Sequence, residues 1–478
     1  MKKETINNLI VKNLGFDLTK SQEVTADLLS SYFLDRTDYH LFLLRGYAGT
    51  GKTSMIASCV KTLLACRIKV VLLAPTGRAA KVLSRYSNSP AFTVHKWIYR
   101  QKSERDGLGT FVLNKNMSKN TIFIVDEASM LSNTAADNSG FGSGRLLDDL
   151  LTFVNDGDNC RLILVGDDAQ LPPIRLDFSP ALNSRELQSY GYTVTEVILS
   201  EVVRQAQNSG ILTNASLIRS FLDERRVEIP KFSLVGFDDI VRLSGTELVD
   251  SLEASYSSVG LDEAIVVCYS NKRANKYNQG IRNQLLWREE ELSVGDLLMV
   301  VRNNYHWTEK VENINFIANG DVVKVLRIRG TKELHGFRFA EVTVQLIDYQ
   351  EQELDVIIML DTLSVEGPSL PMDKSNELYQ SVALDYEDIV NKRSRMAKIK
   401  SDPYFNALQV KFAYAVTCHK AQGGQWKHVY LDQGFFKPEM MTREYLRWLY
   451  TAITRATEKV FLVNFSDDFY FEKNQFFE

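Results

Sequence analysis

The stretch Gly46-Tyr47-Ala48-Gly49-Thr50-Gly51-Lys52-Thr53 matches the phosphate-binding loop pattern G-x-x-x-x-G-K-[ST]. It follows the apolar, strand-like residues 41–44 and precedes a helical stretch over residues 54–64. Backbone N–H groups of such a loop point at a polyphosphate, and the following helix presents its positive N-terminus. Because strand, loop and helix come in the required order, the pattern predicts an ATP or GTP site rather than a glycine-rich turn with a chance Lys-Thr.

The side chains of this loop have separate predicted tasks. Lys52 reaches the β- and γ-phosphates, and the Thr53 hydroxyl binds Mg²⁺. The candidate nucleotide-contacting residues of the loop are Gly46, Ala48, Gly49, Thr50, Gly51, Lys52 and Thr53.

A second strand-like run, residues 121–125, ends in Asp126 and Glu127. An apolar run that ends in two carboxylates is typical of a buried parallel strand, which carries the acids to the sheet edge where open α/β folds bind ligands. Alone, this pattern is as often a solvated strand end. Together with the phosphate loop it predicts that Asp126 holds Mg²⁺ through its water shell and that Glu127 orients and deprotonates the attacking water.

A third strand-like run, residues 161–165, leads to Gln170, which is placed to sense the γ-phosphate. Three more segments complete an ordered set: Leu-Ser-Glu-Val-Val-Arg-Gln at 199–205, Ala-Val-Thr-Cys-His-Lys-Ala-Gln-Gly at 415–423, and Leu-Tyr-Thr-Ala-Ile-Thr-Arg-Ala at 449–456. In this order and at these separations the segments resemble the helicase motifs of superfamily 1, in particular the RecD, Dda and Pif branch. The resemblance extends from residue 18 to residue 455.

The resemblance implies roles for residues outside the loop. Gln22 is expected to contact adenine, and Arg204 and Arg455 are expected to reach the γ-phosphate from the second motor domain. With these two arginines, the implied catalytic residues are Lys52, Glu127, Gln170, Arg204 and Arg455. Gly424 follows Gln422-Gly423 at a position where family members vary; it is kept as a candidate nucleotide contact without an assigned task.

Two early motifs at 74–81 and 93–96, with the later motif at 415–423, imply contacts with a single strand. The residues expected to contact the strand through hydroxyl, imidazole, ammonium and backbone groups are Pro75, Thr76, His95, Thr417, His419 and Lys420. For either histidine, His95 or His419, the alternative is a side chain that packs within its motif.

The implied protein is an ATP-dependent DNA helicase that uses Mg²⁺, translocates 5′-to-3′ on single-stranded DNA and unwinds duplex. Its expected partners are single-stranded DNA and duplex junctions, and it is expected to act as a monomer. Two alternatives remain open: an RNA-directed helicase of the same superfamily, and a non-motor ATPase switch whose activity does not respond to nucleic acid.

The alternation of strand-like and helical runs predicts an α/β fold with doubly wound parallel sheets. Residues 1–200 are expected to form a first RecA-like motor domain with a hairpin insertion at about 97–120. Residues 201–288 and 405–478 are expected to form a second RecA-like domain. The β-rich residues 289–404 between them predict an SH3-like barrel insertion, which in the resembling family grips the strand from outside.

Strand separation needs a rigid group at the junction, and the turn at 106–109 with Phe111 is the candidate. An aromatic face can replace lost base stacking worth about 1–3 kcal/mol. The equal alternative is that Phe111 packs the hairpin onto the first domain. The Gly/Ser-rich residues 137–144 have no assigned function.

The composition limits which classes of nucleic-acid-binding protein this chain can belong to. A net charge of −4 and a pI near 6.0 exclude a protein that coats nucleic acid by bulk attraction. Locally basic stretches at 100–119 and 392–400 suffice for a narrow strand groove, although 392–400 is equally well explained as a solvated helix face.

The five cysteines show no paired spacing and indicate reduced cytosolic thiols. With no apolar run near 18 residues and no signal peptide, we expect a cytoplasmic protein without a membrane partner.

Overall fold

The computed structural model describes residues 2–101, 111–134, 142–202, 208–308, 311, 314, 316–347, 349 and 352–471. Arg204 and the turn at 106–109 lie outside the described residues, as do residues 137–141 of the Gly/Ser-rich segment. Within the part that is described, no helix is long and apolar enough to cross a membrane.

The first motor domain is built on a six-stranded parallel sheet with the strand order β3-β2-β6-β7-β1-β8. Its elements are α1 (Lys3–Leu14), α2 (Lys20–Leu34), β1 (His40–Gly46), α3 (Lys52–Ala65), β2 (Lys69–Ala74), α4 (Gly77–Ser87), β3 (Ala91–Thr93), α5 (Val94–Ile98), β4 (Tyr99–Gln101), β5 (Phe111–Leu113), β6 (Thr121–Val125), α6 (Leu146–Asn155), β7 (Arg161–Gly166), α7 (Ser184–Ser189) and β8 (Thr193–Leu199).

The central strands of this sheet carry almost only apolar side chains because both faces are covered. All residues of β6 and β7 are buried, and separate apolar clusters pack on the two sides. A parallel sheet covered on both faces requires such continuous apolar strands. Because β1, β6 and β7 are parallel, the polar residues that follow them lie at one edge of the sheet. The phosphate loop, Asp126 and Asp167 are neighbours at this edge.

The second motor domain has a five-stranded parallel sheet with the order β16-β10-β17-β18-β9. In chain order, the elements of this domain and its insertion are α8 (Gly210–Asp223), β9 (Ile240–Leu243), α9 (Leu248–Val259), β10 (Ala264–Cys268), α10 (Asn271–Gly280), β11 (Leu297–Val300), β12 (Val322–Leu334), β13 (Phe337–Leu346), β14 (Gln352–Met359), α11 (Met372–Leu384), α12 (Lys392–Ser401), β15 (Leu408–Phe412), β16 (Ala415–Thr417), α13 (Cys418–Ala421), β17 (Trp426–Asp432), α14 (Arg443–Ile453) and β18 (Ala456–Val463). The predicted architecture of two parallel-sheet motor domains is confirmed.

The insertion in the second domain is a closed barrel of β11, β12, β13, β14 and β15. All neighbouring strands are antiparallel except β14 and β15, which are parallel. The parallel pair is possible because α11 and α12 form the long connection between these strands. The closing strand β15 begins at Leu408, after the predicted end of the insertion at residue 404.

The basic segment 392–400 lies on α12, where only Ile399 is buried. Most of its lysines and arginines are exposed, so the segment has the character of a solvated helix face.

The small hairpin is present as β4 paired antiparallel with β5. Phe111, at the start of β5, is only 5% exposed. Its ring centroid lies 4.1 Å from that of Tyr305 and 6.4 Å from that of Phe316, both in the insertion of the second domain. The expectation that Phe111 presents a ring to a base pair is therefore wrong in this structure, because the ring is buried against the barrel insertion as well as its own domain.

Candidate functional site

A cavity of about 490 Å³ separates the two motor domains at the edge where the phosphate loop lies. The first domain contributes the phosphate loop, Asp126, Glu127 and Gln170, and the second contributes Thr454 and Arg455. The fold therefore brings together, from distant parts of the chain, most of the residues that the sequence predicts for nucleotide hydrolysis.

The phosphate loop has the backbone shape that its glycines allow. Gly49 and Gly51 have positive φ angles of 74° and 88°, in the left-handed region that favours glycine. Gly51 is also the N-cap of α3, so the loop leads directly into a helix N-terminus. The Lys52 ammonium donates to the carbonyl oxygens of Gly46 at 2.6 Å and Tyr47 at 3.0 Å. These contacts hold the lysine inside the loop, where a phosphate group binds.

The two acids that follow β6 have different environments. Asp126 accepts hydrogen bonds from the Tyr86 hydroxyl and from the Glu127 backbone N–H, the latter at 2.8 Å. Burial raises the pKa values of both Asp126 and Glu127. Glu127 has a φ angle of 53°, which is uncommon for a residue with a side chain and is typical of strained functional positions. Its carboxylate lies 3.7 Å from the Arg455 guanidinium.

The residues present fit a magnesium ion that is held mainly by a nucleotide. Thr53 and Asp126 both line the cavity and offer the hard oxygen atoms that Mg²⁺ prefers. The described residues contain no group of three or more His, Cys, Asp or Glu side chains that would form a protein cage for a metal. Mg²⁺ usually binds through one or two protein oxygens, substrate phosphates and water, which agrees with this arrangement.

Gln170 and Asp167 follow β7 and face the same cavity. The Gln170 side chain is 5% exposed, and its buried carbonyl oxygen has no hydrogen-bond partner. A buried acceptor without a partner is costly. The task of sensing the γ-phosphate stays a prediction for Gln170.

Asp167 was not selected by its sequence pattern, yet it is 1% exposed and central to the site. Its carboxylate accepts from the Tyr450 hydroxyl at 2.7 Å and from the Ala169 N–H at 3.0 Å. The Lys52 ammonium lies 3.7 Å away. Tyr450 also accepts from the Ala48 N–H of the phosphate loop at 2.8 Å, so one hydroxyl of the second domain joins two parts of the first.

Arg455 is 4% exposed and is held by its own domain. Its Nε donates to the Thr451 carbonyl at 3.0 Å, and its Nη1 donates to the Gly424 carbonyl at 3.4 Å. These bonds direct the guanidinium across the domain boundary, toward Glu127 of the first domain. Gly424 itself does not line the cavity. It lies behind Arg455, and the structure shows no basis for a direct nucleotide contact.

Gln22 is fully buried and supports the phosphate loop from behind. Its amide nitrogen donates to the Thr50 carbonyl at 3.1 Å, and its amide oxygen accepts from the Thr19 N–H at 3.0 Å, which caps α2. An adenine contact would need one of these bonds to be given up. That contact stays a prediction.

Comparisons with known proteins agree with this geometry. A family model described as an AAA domain matches residues 33–227, and one described as a UvrD-like helicase C-terminal domain matches residues 412–463. The chain is 22% identical to the ATP-dependent DNA helicase dda of Enterobacteria phage T4, over 94% of this chain and 99% of that one. It is 23% identical to the ATP-dependent DNA helicase Pif1 of Psychrobacter sp., over 81% of this chain and 61% of that one.

The chain belongs to the superfamily 1 helicases of the Dda and Pif1 type. It is an ATP-dependent enzyme of that family. Among solved structures, Pif1 helicase from Bacteroides in complex with ADP-AlF3 and ssDNA is 15% identical, with a TM-score of 0.47 over 96% of this chain and 95% of that one.

Two of the three motifs expected to contact a strand, 74–81 and 415–423, meet at the boundary between the helicase's two motor domains. Thr76 caps α4 by accepting from the Ala79 N–H at 3.2 Å. A Cβ placed on Gly423 would lie 3.2 Å from the Thr76 hydroxyl oxygen, so the loop after α13 approaches the N-terminus of α4 closely. Arg78 stacks over Trp426 with 3.9 Å between the guanidinium and the ring centroid. Pro75, which precedes Thr76, is half-buried.

The basic candidates for strand contact are less charged than their residue types suggest. Burial lowers the pKa of His95 to about 4, so its imidazole is neutral at neutral pH and can meet a phosphate only as a hydrogen-bond partner. Burial also lowers the pKa of His419. Lys420 donates to the Asn319 side chain of the insertion. Thr417, at the N-cap of α13, makes no side-chain capping bond.

We expect the Lys420 contribution to strand binding to depend on pH. Burial, with a smaller effect from the Lys411 ammonium, lowers the pKa of Lys420 to about 8. The protonated form exists below that value, so attraction to a phosphate is present at pH 7 and is lost as the pH rises through about 8. A bound phosphate stabilises the ammonium and moves the midpoint upward.

The measurement is the salt dependence of single-strand affinity at pH 7 and pH 9.5. One lost phosphate contact lowers the slope of log affinity against log salt by about 0.7 in magnitude. Lys420→Met should remove most of this pH dependence. If that variant keeps it in full, the titrating group is another one, and Lys411, whose pKa is also lowered to about 8, is next to be tested.

Proposed function

We propose that this helicase hydrolyses ATP to translocate 5′-to-3′ along single-stranded DNA and to unwind duplex DNA ahead of it. The observation that carries the proposal is the cavity between two motor domains, in which the phosphate loop and Glu127 of one domain face Arg455 of the other. A nucleotide bound there touches both domains. Its hydrolysis therefore changes the free energy of domain closure, which is the requirement for a motor.

The chemical step is assigned to this chain's own side chains. Lys52 and Arg455 compensate charge on the transferred phosphoryl group from opposite sides of the cavity, and Glu127 orients the attacking water and accepts its proton. Gln170, which lines the same cavity, senses the γ-phosphate. Mg²⁺, when held through Thr53 and Asp126, neutralises charge on the nucleotide's phosphates.

The choice of DNA is supported by the dda and Pif1 relatives, which are DNA helicases by name. The direction follows from the branch of superfamily 1 that the sequence motifs resemble. The deciding experiment compares ATPase kcat without nucleic acid, with a DNA homopolymer and with the matching RNA homopolymer. We expect stimulation by DNA. Stimulation by RNA alone would redirect the proposal to an RNA helicase, and no stimulation would indicate a non-motor switch.

We expect Phe111→Ala to impair unwinding of a duplex with a 5′ single-stranded tail more than it impairs strand-stimulated ATPase. The physical reason is local packing: the buried Phe111 ring joins the hairpin to Tyr305 and Phe316 of the barrel insertion, and none of the three residues lines the nucleotide cavity. The hairpin then loses its fixed position relative to the barrel insertion.

Phe111→Leu is the matched control, because it keeps an apolar side chain and should retain most of the unwinding. Equal losses of unwinding and ATPase in Phe111→Ala would show that the ring serves overall stability. Unwinding from a 3′ tail alone would overturn the proposed direction.

A further inference from the structure

A second cavity lies between the two motor domains and shares no described lining residue with the nucleotide cavity. Its volume is about 420 Å³. We name it the arginine cavity for four of its lining residues: Arg45 and Arg185 from the first domain, and Arg443 and Arg447 from the second. Nothing in the hydrolysis mechanism above uses it.

The acids in the arginine cavity are already paired. Arg45 forms ion pairs with Asp168, at 2.8 Å, and with Glu196. Asp223 lies 3.8 Å from Arg219 of the same helix. Among the described residues, the remaining three arginines of the cavity form no ion pair. The lining contains four arginines and the three carboxylates of Asp168, Glu196 and Asp223, so the cavity holds an excess of one positive charge.

Arg443 and Arg447 lie one turn apart at the start of α14, so their side chains share one face of the helix. The Arg447 Nη1 donates to the Asp177 carbonyl at 2.5 Å, which fixes the guanidinium, but its Nε is buried and has no partner. Burial and the neighbouring Arg443 lower the pKa of Arg447. These two effects disfavour the charged form of Arg447, whereas the nearby Asp168 and Asp177 carboxylates favour it.

A second donor without a hydrogen-bond partner belongs to another residue that lines the cavity. The Ser179 side chain is 8% exposed and its hydroxyl has no hydrogen-bond partner. Buried polar groups are nearly always hydrogen-bonded, so each such exception calls for an explanation. Ser179 and Arg447 come from different motor domains and border the same space. A single acceptor with several oxygens and a negative charge, bound between the two domains, would give Arg185, Arg443 and Arg447 the ion-pair partner that no described residue supplies.

We propose that the arginine cavity is a binding site for a phosphate group that bridges the two motor domains. Arginine forks match phosphate oxygens through paired, charge-assisted hydrogen bonds. The phosphate is either free inorganic phosphate or a phosphodiester of a bound strand. Because the ligand touches both domains, its affinity depends on their relative position. By linkage, its binding shifts the domain closure that ATP turnover requires.

The test is calorimetric titration of inorganic phosphate into the full-length Lys52→Ala protein, in which phosphate binding at the nucleotide loop is weakened. We expect one remaining site. Adding Arg447→Gln in this background should weaken phosphate binding at least tenfold, and Ser179→Ala, which removes only one hydroxyl, should weaken it severalfold. Arg242→Gln is the matched control: it removes the same charge from the same domain, at an exposed pair with Asp467 outside the cavity.

The proposal is overturned if the Lys52→Ala protein binds no phosphate, or if Arg447→Gln and Ser179→Ala bind it as well as Arg242→Gln does. Ser179→Ala keeps the test valid should Arg447→Gln disturb the domain boundary. A competition experiment with oligo(dT) then identifies whether the bound phosphate is free or belongs to a strand. If oligo(dT) displaces the phosphate and Arg447→Gln lowers strand affinity in parallel, the ligand is a strand phosphodiester. If oligo(dT) leaves phosphate binding unchanged, it is free phosphate.

Discussion

Arg455→Ala should lower kcat for strand-stimulated ATP hydrolysis by about 10³-fold, because an arginine that reaches the transferred phosphoryl group from a second domain contributes 10³ to 10⁵ in kcat. The side chain is buried at the end of α14 and directed at Glu127 by its bonds to the Thr451 and Gly424 carbonyls. Its guanidinium lies 3.7 Å from the Glu127 carboxylate, and the described second domain contributes no other basic side chain to the nucleotide cavity.

Two controls separate chemistry from folding in this variant. Arg455→Lys keeps the charge but lacks the planar fork, and should recover only part of kcat. Strand affinity without nucleotide and the melting temperature should stay near wild type for both. A kcat loss accompanied by an equal loss of folded protein would instead show that Arg455 serves the packing of its own domain.

Glu127→Gln should lower kcat by about 10²- to 10⁴-fold while ATP still binds, because the amide keeps the shape of the side chain but cannot accept a proton. Lys52→Ala should differ, losing nucleotide affinity as well as turnover, since charge compensation on the phosphates is removed. Equilibrium binding of ATP to both variants distinguishes them. A Glu127→Gln enzyme with near-normal kcat would exclude Glu127 as the base.

The same residue sets the expected acid limb of the pH profile. Burial raises the pKa of Glu127, and the base must be deprotonated to act. ATPase activity should therefore be present above the raised pKa and decrease as the pH falls through it. The limb should be absent from the residual activity of Glu127→Gln.

The nucleotide site was predictable because its residues follow short, locally encoded patterns. The loop, Asp126 and Glu127 each come directly after an apolar strand, and parallel strands bring their carboxyl ends to one edge. Arg455 needed the resemblance to a family, since nothing local distinguishes it from a surface arginine. Arg204 lies outside the described residues, so its role stays a prediction.

The contacts that depend on distant packing were not predictable. The sequence shows a turn at 106–109 and an aromatic residue, Phe111, beside it. Only the folded chain shows that Tyr305 and Phe316, about 200 residues away, cover the Phe111 ring. Asp167 and Tyr450 lie within recognised motifs, yet their mutual hydrogen bond spans 283 residues and has no signature in either segment. The closing of the barrel by β15 depends in the same way on a parallel pairing across two intervening helices.

The Tyr450 hydroxyl makes the hydrogen exchange of one backbone amide sensitive to separation of the two motor domains. The Ala48 N–H donates to that hydroxyl, which belongs to the other motor domain, so its hydrogen can exchange with solvent only while the domains are apart. In the absence of nucleotide, the exchange rate of this amide reports the opening equilibrium when reclosing is faster than exchange, and the opening rate when reclosing is slower. In a chain of 478 residues, a single backbone hydrogen would therefore report the separation of the two motor domains.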